Sequence, residues 1–399
     1  MSDRDPRQDL DSPPDLAARI SGTGESLGRA LLLPSLALVL ALLVGAVIIM
    51  LTDVDAWMIM GEDPGAALGQ MLEAVWTAYR ELFLGAFGSV RGISETLFTA
   101  TPLILAGLAV AIGFQAGLFN IGANGQIFIG GLFAAWVALH VTLPAVLHIP
   151  LAIVAAIVGG GIWGGLAGLL KARTGAHEVI TTIMLNFIAA FFVLWALKTP
   201  VFQFEPSGLP QSSPLPESAQ LPPIFGEAYR VNIGLFLALG AVVGISWLLY
   251  RTTIGFEFRA AGSSPSASLY AGMSVATLIT LVMFVSGGLA GIAGSTMTLG
   301  LPPYRVTDGF AGTIGFDAIA LALLGRSHPY GVLWSGLLFG ALIAGGRTMQ
   351  AAAGVSVDLV IVIQALIIIF IAAPELVRAV FRVKAGHEGT DQVTRGWGA

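Results

Sequence analysis

Apolar residues fall along this chain in runs of about twenty, each long enough to cross a bilayer as a helix rising 1.5 Å per residue, and polar residues collect between the runs. Runs at roughly 30–51, 95–115, 119–140, 148–170, 178–198, 231–250, 274–299, 311–325, 330–347 and 357–376 predict an all-α polytopic membrane protein of about ten transmembrane helices. The eighth run is the exception. Thr313 to Gly325 holds 13 residues, about 20 Å of helix against about 30 Å of hydrocarbon. It must begin near Asp308 or be a re-entrant half-helix, which is tolerated only where protein or water surrounds it.

Charge is sorted between the connections. Lys171, Arg173, Arg251, Arg259, Arg326, Arg378, Arg382, Lys384 and Arg395 fall on one set, whereas Asp53, Asp55, Glu62, Asp63, Glu73, Glu81, Glu205, Glu217 and Glu227 fall on the other. Because basic loops stay in the cytoplasm, both termini are predicted to be cytoplasmic. Residues 1–28 are polar, with Pro6, Pro13 and Pro14, and read as a disordered cytosolic tail rather than a signal peptide; 29–376 is the transmembrane domain and 377–399 a second cytosolic tail. In the outer connection 52–93, Leu68, Met71, Leu72, Val75 and Trp76 recur at helical spacing and predict an amphipathic helix on the outer surface. The outer connection 199–230 carries seven prolines between Pro200 and Pro223 and reads as an irregular loop, either a solvated linker or an aid to docking an outer partner.

Composition agrees: 56% of the 399 residues are hydrophobic and 11% charged, where a soluble domain has about 25% charged. The absence of cysteine removes disulfides, thiolate metal sites and thiol catalysis. No basic cluster points to nucleic acid. Gly159, Gly161 and Gly164 spell a G-x-G-x-x-G, but inside an apolar run with no preceding strand, so no dinucleotide site follows. His177 and Glu178 begin a zinc-protease pattern that Thr181 fails to complete, and the other histidines lack ligand spacing. No catalytic, cofactor or metal site is expected. A Walker-type phosphate loop needs Gly, Lys and Ser or Thr in succession; the lysines are Lys171, Lys198 and Lys384, and the one before a Thr, Lys198, follows Leu197. If ATP drives this protein, another subunit hydrolyses it.

Polar residues inside the runs are the informative ones. Gly117 to Gly131 reads G-L-F-N-I-G-A-N-G-Q-I-F-I-G-G and places Asn120, Asn124 and Gln126 at membrane depth, with Gln115 and Asn186 as further amides. Each must find a partner in protein or trapped water, so each is either glue between helices or the lining of a polar pathway. Asn120, Asn124 and Gln126 are the first pathway candidates, with Gln115 and Asn186 next; Asn120 and Asn124, one turn apart, share a helical face. Asp317 is a candidate gate or a helix-capping carboxylate. Small residues recur at every fourth position at Gly160, Gly164 and Gly168, at Gly287, Gly291 and Ser295, and at Gly336, Gly340 and Ala344, marking faces where helices approach closely. Phe114, Phe119, Trp136, Trp163 and Trp195 read as packing and interface anchors rather than a base-stacking set.

The stretch G-L-F-N-I-G-A-N-G-Q, the segment Gly315–Arg326 and the loop 251–272 resemble the permease subunits of bacterial ATP-binding cassette importers of the branched-chain amino acid and ribose superfamily, nearest the branch that imports nucleosides. In the loop, Gly255, Glu257, Arg259, Gly262, Pro265, Tyr270 and Gly272 match that family's coupling helix, with Pro265 placed to open a short helix over Ser266–Tyr270; Ser264 stands where relatives commonly have Asn. The resemblance covers most of 90–376. It implies a large-importer (type II) architecture, a bacterial plasma (inner) membrane, a second homologous permease subunit, a separate ATPase with two nucleotide sites, and a periplasmic or lipoprotein binding protein that sets most of the specificity. Simple sugars and branched-chain amino acids are the alternative substrates. An ion-coupled secondary transporter is the alternative of another class; it needs an ionisable residue deep in a span, where this chain has amides.

Overall fold

A computed structural model describes residues 16–204, 208–356 and 358–381. In chain order the helices are α1 (Leu16–Thr52), α2 (Val54–Ile59), α3 (Pro64–Phe87), α4 (Val90–Gln115), α5 (Ala123–His140), α6 (Ala145–Thr174), α7 (Glu178–Ala196), α8 (Gly234–Arg251), α9 (Thr253–Ser263), α10 (Pro265–Tyr270), α11 (Val275–Gly300), α12 (Ile314–Leu324), α13 (Pro329–Ala353), α14 (Asp358–Ala372) and α15 (Pro374–Phe381). Among the described residues there is no strand beyond two isolated bridges. The chain is a polytopic helical membrane protein. Seven helices are long and apolar enough to cross a membrane: α1, α4, α6, α7, α8, α11 and α13. The other three predicted spans are helical but fall short: α12 has 11 residues and α14 has 15, while α5 carries Asn124 and Gln126 in its first turns.

Local chemistry sets the helix ends. Asp63 caps α3 through Gly65 and Ala66 N–H groups, followed by Pro64 in the first turn. Ser89 caps α4 through Gly92 N–H, and Gly175 (φ 69°) and Gly354 (φ 65°) close α6 and α13 in the left-handed conformation. Two boundaries and the placement of one helix depart from expectation. α1 begins at Leu16, so residues 16–28 are helical where a disordered tail was expected; residues 1–15 and 382–399 of the two expected tails lie outside the described residues. α5 begins at Ala123 rather than near 119, because Asn120 Oδ1 accepts the Gly122 N–H and holds a turn that hydropathy cannot register. In 52–93 the expected helix is present as α3, but Met71 and Ala78 are buried and Tyr79 donates to the Leu42 carbonyl of α1, while Leu68, Leu72 and Trp76 face outward.

With lipid as apolar as leucine, helices associate here through close approach rather than hydrophobic burial. α6 crosses α11 backbone to backbone: a Cβ on Gly160 would stand 2.8 Å from Gly291 Cα, and one on Gly164 would stand 3.0 Å from Gly287 Cα. Two of the small-residue faces therefore meet each other. The third, on α13, meets α4, with Gly336 against Ile104 and Gly340 against Ala100. α4, α5 and α11 form the buried centre, whereas α1, α7 and α8 expose large apolar side chains such as Val47, Phe191 and Trp247. The loop 199–230 is not a solvated linker. Ser212, Leu215 and Leu221 donate their N–H groups to Val306, Tyr304 and Leu299, and buried His148 meets Ser218 at 2.9 Å. The loop thus lies folded over the end of α11 and the segment leading to α12.

Candidate translocation pathway and coupling surface

The stretch 117–126 is a polar knot joining five helices, α4, α5, α7, α11 and α12. Gly117 (φ 68°) reverses the chain after α4. Asn120 and Gln126 then exchange a pair of side-chain hydrogen bonds at 2.9 and 3.1 Å, and Asn120 Nδ2 also donates to Ser286 Oγ of α11 at 2.8 Å. Ser286 in turn donates to the Ala109 carbonyl of α4. Asn186 of α7 accepts the Gly125 N–H at 2.7 Å and donates to the Ile121 carbonyl at 2.9 Å. Asn124 donates to the Gly312 carbonyl at 3.2 Å and accepts the Gly315 N–H at 3.1 Å, which fixes the start of α12. All four amides are buried. Both donors and the carbonyl oxygen of Asn120 are in use, so its replacement leaves partners unpaired. Asn120→Leu is expected to cost about 2–4 kcal/mol, since each buried group left unpaired costs about 1–3 kcal/mol; a thermal-unfolding scan in lipid nanodiscs measures it, and a cost under about 0.5 kcal/mol would refute the knot.

A cavity of about 290 Å³ opens between α4, α11, α12 and α13, roofed by the residues before α8. None of the five predicted amides lines it, and Gln115 is bonded instead to the Ser327 carbonyl at 3.1 Å at the Arg326 end of α12. Asn124 stands behind the wall, holding the Gly312 carbonyl of a residue that does line it. Asp317 is the predicted residue that reaches the cavity; its carboxylate accepts the Thr313 hydroxyl at 3.0 Å. The remaining chemistry was not anticipated. Glu95 lies 3.0 Å from Arg230 and 3.6 Å from Arg347. The Arg230 guanidinium sits 4.6 Å over the Phe98 ring. Phe310 lines the cavity and meets Phe128 edge-on at 5.3 Å. Arg347 had a sequence signal: it is a charge well inside α13, which runs on to Ala353.

At the opposite end, the loop after α8 is two helices set at an elbow. Thr252 caps α9, and Ser264 caps α10 through the Ala267 N–H with Pro265 as its first residue, as the spacing predicted. Gly255 packs on the Leu248 backbone and Phe258 is wholly buried, so the elbow is rigid. A Cβ on Gly262 would stand 2.5 Å from the Gln115 carbonyl oxygen and 2.8 Å from Gly117 N, which seats α9 on the turn that opens the amide knot. Glu257 makes no ion pair with Arg259. Arg259 lies instead 5.2 Å over the Tyr250 ring, and Tyr250 stacks on His328 at 5.3 Å. Leu269 and Tyr270 of α10 project outward, Tyr270 being 95% exposed in the chain alone, and Gly272 (φ 84°) turns the chain into α11.

The protein family described as branched-chain amino acid transport system / permease component matches residues 92–372. The chain belongs to that permease family. Over 354 residues the permease is 37% identical to the guanosine ABC transporter permease protein NupP of Bacillus subtilis, covering 88% of this chain and 95% of that one. It is 35% identical to the nucleoside ABC transporter permease protein NupB of Lactococcus lactis, covering 86% and 91%. Against the glucose ABC transporter permease protein TsgB13 of Haloferax volcanii it is 37% identical, covering 75% and 80%. No solved structure matches it. As members of this family are transport components, the permease is not an enzyme.

Proposed function

We propose that this permease is the transmembrane subunit of an ATP-driven importer of nucleosides in a bacterial plasma (inner) membrane. The observation that carries the substrate reading is the nearly end-to-end match to transporters named for guanosine and for nucleosides. The glucose relative, matched over less of its length, supports a simple sugar as the second reading. Cells carrying the complete importer should take up labelled guanosine in competition with other nucleosides and not with glucose; uptake competed by glucose alone would replace the first reading with the second.

In this reading α5, α12 and α14 join the seven long helices to give about ten crossings with both termini cytosolic, and the loop 199–230 faces a periplasmic or lipoprotein binding protein. A second homologous permease completes the route, and the elbow α9–α10 docks in a cleft of the separate ATPase. Closure of that partner moves the elbow; α9 shifts the turn at Gly117, and the Arg259–Tyr250–His328 stack carries the same movement to the end of α12. The partner drives the change only if it binds one conformation better than the other. Asn124 would then join the pathway wall as α12 moves, while Asn120, Gln126, Asn186 and Gln115 brace it. Tyr270, a large exposed aromatic, has the character of an interface anchor. Tyr270→Ala with Leu269→Ala should weaken ATPase association by about tenfold or more, read by pull-down of the partner; unchanged association would move the docking site elsewhere.

A further inference from the structure

We propose that the cavity between α4, α11, α12 and α13 is a solute-binding station of the permease itself, shaped for an uncharged solute that joins a flat ring to a hydroxylated sugar. The inference rests on the nucleoside reading and deepens it, since there the choice of solute falls mainly to a separate binding protein. At about 290 Å³ the space stands near the lower end of small-molecule sites, which run from about 300 Å³ upward, so it holds one small solute.

Its charges balance internally. Glu95 answers both Arg230 and Arg347, and Asp317 supplies the second carboxylate, so the four formal charges cancel. Asp317 has no ion-pair partner among the described residues. Its one protein bond is to the Thr313 hydroxyl, which leaves oxygen lone pairs aimed at donors from the cavity. Neighbouring hydroxyls on a sugar are such donors. A phosphorylated solute would instead set about two negative charges against this carboxylate.

The other polar groups of the wall sort themselves. Thr101 and Thr296 donate to their own helices, at the Leu97 and Ala293 carbonyls, and Asn232 is held by Gly234 N–H and the Gly300 carbonyl. Thr99 differs: the residue lines the cavity, while its Oγ1 is turned out of the open space and has no hydrogen-bond partner in the protein. Buried polar groups nearly always find one, and a rotation about the Thr99 Cα–Cβ bond would offer this hydroxyl to a solute. The Phe310 ring, braced edge-on by Phe128, adds an aromatic surface on the same cavity, suited to a flat heterocycle. A charged residue, an unfilled hydroxyl and an aromatic ring therefore converge on one space.

The test is equilibrium binding of tritiated guanosine and guanosine monophosphate to the permease–ATPase complex in lipid nanodiscs, without the binding protein, alongside guanosine uptake by cells. The isosteric variants Asp317→Asn and Thr99→Val are each expected to weaken guanosine binding by about tenfold with ATPase association unchanged, and guanosine monophosphate is expected not to bind. If cells import guanosine but the wild-type complex does not bind it, or both variants bind it as wild type does, or the monophosphate binds equally well, the station is refuted and the nucleoside reading stands. If cells import no nucleoside, that reading falls and the station falls with it.

Discussion

Gly160→Val should abolish the folded permease. At this position α6 and α11 touch through their backbones: the new Cβ would collide with the Gly287 carbonyl and the Gly291 backbone, and none of those atoms can turn aside as a side-chain tip can. The contact is reciprocal, because Gly287 faces the Gly160 carbonyl and Gly291 faces the Ala156 carbonyl. Overpacking a core that can adjust costs about 1–3 kcal/mol. Separating two helices along a glycine seam forfeits the dispersion contacts of the whole crossing, which in lipid are most of what holds them together. Monodisperse protein in fluorescence-detected size-exclusion chromatography should fall at least about tenfold, which corresponds to about 1.4 kcal/mol. Gly240→Val is the control: a Cβ there meets nothing within 4 Å on the outer face of α8, and its yield should match wild type. Equal yields from both variants would mean that the α6–α11 seam is not what closes the bundle.

Gly262→Val should leave the permease bound to its ATPase yet reduce uptake to background. The substitution does not touch Leu269 or Tyr270, which form the outward tip of the elbow, but it wedges α9 off the turn at Gln115–Gly117. That turn begins the amide knot and is where the elbow meets the five helices that the knot joins. Tyr270→Ala with Leu269→Ala should weaken association and uptake together, so this variant and Gly262→Val separate docking from transmission. Uptake by Gly262→Val at the wild-type rate would show that movement passes from elbow to bundle by another route, of which the Arg259–Tyr250–His328 stack is one.

The apolar runs placed the helices because lipid permits no other reading of twenty apolar residues, and even the shortness of α12 was visible as a run of too few residues. The short helix α10 was legible from Pro265, a residue suited to a first helical turn. What sequence could not supply was direction. Asn120 and Asn124 read equally as glue or lining, and the structure ties Asn120 to Gln126 and Ser286 and puts Asn124 behind the wall rather than on it. The cavity was illegible for a related reason. Its groups come from Phe98, Thr99, Arg230, Phe310, Asp317 and Arg347, which are brought together from α4, α12, α13 and two loops far apart in the sequence. Likewise the prolines of 199–230 announced a loop without regular structure, but not that its N–H groups would pair with the segment 299–306.

On the proposed reading this chain is a conduit without a motor, worked through α9 and α10 by a partner that hydrolyses ATP. The direct measurement is guanosine accumulation in sealed proteoliposomes holding the complete importer: the permease, the ATPase, the binding protein and the proposed second permease. Accumulation above the external concentration should require ATP and vanish when the ATPase is omitted, whatever the proton or sodium gradient. Uphill accumulation by this chain alone, driven by an ion gradient with no nucleotide present, would contradict the account.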